Sequence, residues 1–239
     1  MTKAKKSMLI LVVLISMFVS FRSICYANAA EPPSILIIVS NPPPDLDISI
    51  KTSDTYVKAN KVDKAMERYY TFYSRHLKGV GEYVFKITIG EESHQIAIEK
   101  PLNSYNNVYT LNLKDRTLTP GKLPSRSIIL ISMRVILTLL IEAIIFWLFG
   151  FRDKSHWTAF LVINVITQGI LNIWINGFVP TESYLIFSLV FAEILVFIAE
   201  LYAFLFVIKA HRLRIVFYVV TANLMSLMAG GYMITKLPI

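Results

Sequence analysis

The sequence predicts a signal peptide, a small all-β, sandwich-like extracytoplasmic domain and a four-helix transmembrane bundle, in that order along 239 residues. Three observations predict it. A basic N-terminus precedes the apolar run Met8–Phe21, which stops short of Ala27-Asn28-Ala29. Short β-branched and aromatic runs, separated by Pro- and Gly-containing turns, fill residues 30–123. Four apolar stretches then fill residues 124–239.

Composition agrees with lipid as the solvent. Hydrophobic residues make up 55% of the chain and charged residues 17%, against about 25% charged in a soluble domain. The net charge of +8 could suit nucleic acid, but its location excludes that. Lys3, Lys5, Lys6 and Arg22 lie in the N-terminal segment, and without them 20 bases face 16 acids. Residues 30–123 hold 12 bases and 11 acids, with no basic face for a nucleic-acid partner. The remaining surplus lies at helix ends.

Residues 1–29 carry the n-, h- and A-x-A regions of a secretory signal, with cleavage expected after Ala29. Fourteen residues rise only about 21 Å as a helix, short of a core about 30 Å thick. An uncleaved anchor is the rival reading. Arg22 stands where a lipoprotein signal needs a small or aliphatic residue before Cys25, which excludes lipidation. Cys25 is the only cysteine, so the mature chain would have no disulfide, thiolate metal site or cysteine nucleophile. No Asn-x-Ser/Thr acceptor occurs, which is consistent with a bacterial cell envelope protein.

In the β domain, Ser34–Ser40 is a β-branched run bounded by prolines, and Leu46–Ile50 alternates. Tyr83–Ile89 alternates with Tyr83, Phe85, Ile87 and Ile89 on one face, and Tyr109, Leu111 and Leu113 do the same. Lys78-Gly79-Val80-Gly81 and Gly90-Glu91-Glu92-Ser93 read as hairpin turns, the second leading into Gln95–Ile98. These signals suggest a small antiparallel sandwich. Val62, Met66, Tyr69 and Tyr73 also fit a helical period, but the Tyr/Thr/Phe content of Tyr69–Ser74 favours strand. The same aromatic cluster could stack a sugar or peptide, although core packing explains it more simply. His76 and His94 lack acidic partners at metal-ligand spacing and read as solvated. No metal or cofactor site is expected.

The four spans are 127–150, 157–178, 184–208 and 215–234. Loop 151–156 contains Arg152 and Lys154, loop 209–214 contains Lys209, Arg212 and Arg214, and loop 179–183 has no base. Positive-inside ordering puts the first two loops in the cytoplasm. Residues 30–123 and the C-terminus then lie outside, as an exporting signal requires.

Inside the spans the polar residues are spaced for single helix faces. The first carries Arg134, Thr138 and Glu142; the second Asn164, Gln168, Asn172 and Asn176; the third Glu193 and Glu200; the fourth Asn223, with Ser226 and Gly230 on the same side. A central charge costs about 2.5–3.5 kcal/mol on the insertion scale, and each Leu, Ile, Phe or Val returns about 0.3–0.6. The third span is rich enough in those four types to insert despite two Glu. Depth from 1.5 Å per residue suggests two layers. Arg134 would pair with Glu193 beside Asn172, while Glu142 and Glu200 would share Asn164, with Gln168 and Asn223 near the middle. Two carboxyls close together in a low dielectric cannot both ionise, and a proton-coupled carrier would be built that way. Interhelical glue is the plainer account, at about 0.6 kcal/mol per hydrogen bond.

No motif of a membrane metalloprotease, serine hydrolase, P-loop enzyme or aspartyl intramembrane protease is present. His156 and His211 fall in the cytoplasmic loops. The favoured expectation is a non-enzymatic envelope protein: an extracytoplasmic ligand- or partner-binding domain on a polar-lined anchor, an accessory or sensor subunit of a membrane complex. Its partners would be the bilayer and another membrane protein or a second copy. A small proton-coupled transporter or transporter subunit is the alternative. An intramembrane hydrolase using Glu142 or Glu200 is third.

Overall fold

The computed structural model describes residues 31–52, 55–77, 83–98, 103–180, 185–209 and 211–238. The expected signal peptide and the turn at Lys78–Gly81 lie outside the described residues. By contacts the chain forms two compact units. One comprises 30–134, 173–188 and 231–239; the other contains 135–172 and 189–230.

The first unit holds two sheets. One is five-stranded, built from β1 (Ile35–Ser40), β4 (Asn60–Asp63), β5 (Glu67–Phe72), β8 (Asn107–Asn112) and β9 (Thr117–Pro120) in the order β4-β5-β1-β8-β9. The other is β2 (Asp47–Lys51), β3 (Tyr56–Lys58), β6 (Tyr83–Ile89) and β7 (Glu92–Ile98) in the order β3-β2-β6-β7. A 3-10 turn at Ser74–Leu77 follows β5. The core between the sheets contains Ile35, Ile37 and Val39 of β1, Leu46, Ile48 and Ile50 along β2, Tyr70 and Phe72 of β5, and Phe85 and Ile87 of β6. Each expected alternation thus points its apolar face inward, Tyr109 and Leu113 included.

The all-antiparallel expectation needs correction. β1 pairs with β8 in parallel, Ile35 opposite Asn107 through Val39 opposite Leu111, and antiparallel with β5 on its other side. This central strand is also covered on both faces, so it reads as an unbroken apolar run, not an alternation. Ile35–Val39 are all buried, with Leu36 and Ile38 packing away from the inter-sheet core against Tyr69, Val108 and Val179. The ambiguity over residues 62–73 resolves as strand: Val62 and Met66, which a helical stripe would bury, are exposed. Tyr69, Tyr70 and Phe72 are fully buried core residues, so they form no surface stacking platform. The turn joining β6 to β7 is tighter than expected, with Glu92 and Ser93 already in the strand. Gly90 adopts φ +58 at the first loop position, where a two-residue hairpin needs a residue without Cβ.

Four helices follow: α1 (Pro124–Leu148), α2 (Lys154–Asn176), α3 (Leu185–Val207) and α4 (Arg212–Lys236). Each is long and apolar enough to cross a membrane. α1, α2 and α4 each begin three residues before the expected span, because a helix N-terminus is capped in polar sequence, while α3 falls one residue short of its span at each end. Pro124 opens α1, where its missing N–H costs nothing. At the other end of α1, Gly150 takes φ +84. The Gly150 N–H donates to the Trp147 carbonyl at 3.0 Å and the Phe151 N–H to the Phe146 carbonyl at 3.4 Å. That is the paired bonding of a Schellman stop. Its hydrophobic contact is present too, the Phe146 and Phe151 rings stacking at 4.4 Å. Asp153 stands just before α2 as its N-cap, its carbonyl accepting from the Trp157 N–H. Gly150→Ala should cost about 1–2 kcal/mol, because a Cβ in the left-handed region is strained. Thermal unfolding of the purified full chain checks it.

Candidate functional site

The site is built from the helix interior of the second unit. Glu142, Asn164 and Gln168 are fully buried there, Glu200 nearly so, and Asn172, Glu193 and Asn223 are at least nine-tenths buried. Seven of the eight expected residues therefore share this unit. Arg134 belongs to the first unit; it is buried, and its guanidinium nitrogens have no hydrogen-bond partner among the described residues.

The remaining partners also differ from those expected. Glu200 accepts at both oxygens: from the Thr167 hydroxyl at 2.7 Å and from the Asn223 amide at 2.6 Å. Glu142 accepts from the Gln168 amide at 3.3 Å, not from Asn164. The extra methylene lets Gln168 reach a carboxyl that Asn164 does not. Asn164 instead donates to the Tyr218 hydroxyl at 3.5 Å, and Asn172 turns back to its own helix, donating to the Gln168 carbonyl. Sequence reasoning missed Thr167 and Tyr218. Thr167 stands three residues beyond Asn164, on the same stripe, and could have been found. Tyr218 looks like one more apolar aromatic. It indeed packs on Phe146, Phe151 and Phe204, with ring centroids 5.0–5.9 Å away.

The set is polar beyond its mutual bonds. Among the described residues, Glu142 Oε2, Asn164 Oδ1, Gln168 Oε1, Glu193 Oε2, Asn223 Oδ1 and the Ser226 hydroxyl are buried without a hydrogen-bond partner. Interhelical glue would satisfy its own acceptors. Here three of the six unpartnered atoms are amide oxygens, which only accept, an arrangement suited to donors brought from elsewhere. No Lys or Arg occurs in 135–151, 155–172, 189–208 or 215–230, so nothing within these stretches neutralises the carboxyls.

The first unit has its own constellation. Arg126, in the first turn of α1, donates through Nε and Nη2 to both carboxylate oxygens of Glu67 at 2.6 and 2.7 Å, and Nη2 also reaches the Tyr69 hydroxyl at 3.3 Å. Both ion-pair side chains are about 5% exposed. Lys122 donates to the carbonyls of Asn176 and Phe178 at the end of α2. Lys64 does the same to Ile234 and Thr235 in the last turn of α4, and the Ala65 N–H reaches the Lys236 carbonyl. Cations here meet carbonyls that a helix leaves unpaired.

Lys122 is pushed down to about 8 by burial, helped by Arg126 and Arg134. At pH 7 the amine is protonated both folded and unfolded. Between about 8 and 10.5 the unfolded chain holds a proton that the folded chain has released, so stability rises with pH across that window. Lys122→Met should flatten the rise, as followed by melting at pH 7.5 and 9.5.

The open face of the four-stranded sheet carries a shallow cleft of about 230 Å³, lined by Asp47, Ser49, Tyr56, Lys58, Lys86 and Thr88. Lys86 lies over the Tyr56 ring, and Gln95 donates to the Tyr56 hydroxyl at 2.9 Å. Asp47 is paired with Lys58 and Lys61. His76 and His94 are half-buried and not solvated as expected. His76 Nδ1 accepts from the Tyr73 N–H, and burial holds both histidines below their ordinary value. No group of three or more His, Cys, Asp or Glu that could hold a metal occurs among the described residues. No family model, curated protein or solved structure matches the chain.

Proposed function

We propose that the chain is an accessory or sensor subunit of a membrane complex in the cell envelope. Its β domain meets a ligand or partner outside, and its helices pass the consequence sideways to other membrane subunits. In this reading residues 30–123 are extracytoplasmic and the loops at 151–156 and 209–214 are cytoplasmic, following their basic residues. One observation supports it above the rest. The five-stranded sheet is bonded directly to helix ends, through Glu67 to α1 and through Lys64 to α4, and the same compact unit has Lys122 on the end of α2. A domain that was merely tethered would need a solvated linker and no such bonds. Displacing this sheet displaces the helix ends with it.

The cytoplasmic loops are only a few residues long, so the output must travel through the bilayer to a neighbour. The test is purification of a C-terminally tagged copy from its native membranes in mild detergent, with mass spectrometry and native mass. A stoichiometric membrane partner is expected. A lone monomer would overturn the reading.

A second reading, proton-coupled transport, rests on Glu200, whose carboxyl is bonded by Thr167 of α2 and Asn223 of α4. Its geometry suits the gain and loss of a proton, and its test is distinct.

A further inference from the structure

Each helix of the second unit carries a buried aromatic ring about one turn from a buried polar group, and always on the same side of it. Phe146 of α1 is four residues after Glu142 and Phe204 of α3 four after Glu200; Phe160 of α2 is four before Asn164 and Tyr218 of α4 five before Asn223. Since α1 and α3 run toward the loops at 151–156 and 209–214 and α2 and α4 run away from them, all four steps lead toward those loops. Four residues rise about 6 Å, so the rings form a layer one turn from the polar groups. Each ring residue is at most 1% exposed. The Phe146 centroid lies 5.0 Å from Phe160, 5.0 Å from Tyr218 and 6.2 Å from Phe204, and Phe204 lies 5.3 Å from Tyr218.

This layer divides the interior by polarity. On its loop side Phe151, Ile208 and Ile215 are buried, and, Tyr218 aside, no polar residue of 143–163 or 201–222 is buried among the described residues. On the other side the polar side chains continue. Gln168, which donates to Glu142, accepts at its own carbonyl from Asn172, and Thr138, Glu193 and Ser226 are buried on that side as well. A buried water needs about two to four polar partners. Within the layer only the Tyr218 hydroxyl could serve, and it is taken by Asn164 on the polar side. Packed rings that offer water nothing to bond exclude it, as hydrophobic constrictions do in channels.

We propose that this four-ring layer is a seal, and that Glu142 and Glu200 take up and release protons through one aqueous face alone, the face opposite those loops. The titratable groups facing the two carboxyls are Glu193 on α3 and Tyr218 on α4. From α2 they meet Thr167 and Gln168, which do not titrate. An interior open to one face registers that face and carries nothing across. The seal stands on the geometry; the sensing role that follows from it rests on the accessory-or-sensor reading and names protons as what the helices register.

The experiment uses the full chain in membrane vesicles of both orientations, with Cys25→Ser so that a cysteine placed by Ser226→Cys is the only thiol. The probe is a small charged methanethiosulfonate. With the layer intact, the Ser226→Cys chain should react from the face opposite the loops and not from the loop face. Phe146→Ala should raise the loop-face rate at least about tenfold, because exposure governs thiol reactivity. Phe204→Leu, a milder gap in the same layer, should raise it less. In liposomes the Phe146→Ala chain should leak protons that the parent chain holds back, and adding Glu200→Gln should suppress the leak. Reaction of the intact layer from the loop face would overturn the proposal in favour of alternating access, and reaction from neither face would overturn it too. So would a loop-face rate that neither Phe variant changes, or a leak indifferent to Glu200→Gln. If no partner purifies from native membranes while labelling stays one-sided, the accessory reading fails and the seal stands. With a stoichiometric partner and two-sided labelling, the reverse holds.

Discussion

Arg126→Ala should destabilise the unit containing the sheets by about 3–5 kcal/mol, which is the cost of breaking a buried ion pair by removing one partner. The magnitude follows from what is left behind. Glu67 is about 5% exposed, and both of its oxygens are held by the one guanidinium. Without Arg126 it is a carboxylate taken out of water with neither fork donor. Arg126→Lys should recover only part of the loss, because an ammonium keeps the charge but cannot donate to both oxygens in the same planar fork. The double change Glu67→Leu with Arg126→Met should be milder than Arg126→Ala alone, since replacing both members with apolar groups removes the desolvation cost together with the attraction. Thermal unfolding of the four full-length proteins in one detergent decides it. Equal melting of Arg126→Ala and the parent chain would show that the pair adds nothing, and the sheet would then be free to move without the first turn of α1.

That ion pair was not legible in the sequence, and the reason is physical. Glu67 and Arg126 are 59 residues apart, and only the long-range register of β5 beside β1 brings them together. Alternation showed which residues face the core, because period two is local. It could not show that β1 and β8 run parallel, because pairing partners are set by chain return over distances that no local period reports. β3, β4 and β9 were missed for another reason: they are short and largely exposed, so they carry no apolar stripe. The four helices were legible within about three residues at each end, since hydropathy over such lengths leaves little alternative in lipid. Their polar residues were legible as buried. Their pairing was not, because it depends on helix rotation and on single methylenes, as Gln168 reaching Glu142 illustrates.

Glu200→Gln should leave the protein folded and abolish any proton movement it carries out. The Thr167 hydroxyl has one proton and three acceptors in reach: Glu200 Oε1 at 2.7 Å, the Ile163 carbonyl at 3.1 Å and the Asn164 carbonyl at 3.3 Å. With Glu200 ionised, that proton lies on the Thr167–Glu200 bond. With Glu200 protonated, the acid can donate to Thr167 instead, and the hydroxyl turns to its own helix. Both states are bonded, and they differ by one hydroxyl rotation. A glutamine reproduces only the second: its oxygen accepts from Asn223 and its nitrogen donates to Thr167. Stability should therefore change by less than about 1 kcal/mol, whereas Glu200→Leu loses both bonds and should cost about 1–3 kcal/mol on the range measured for membrane hydrogen bonds. Thr167→Val, nearly the same volume, should keep the fold and impair proton exchange by removing the group that follows the proton. Proton flux into liposomes containing the parent chain, Glu200→Gln and Thr167→Val is the measurement. Flux that persists in Glu200→Gln would show that Glu200 is not the carrier. A Glu200→Gln chain that fails to fold would show that the charge itself holds α2 and α4 together, which is a structural role and leaves no place for a proton to come and go.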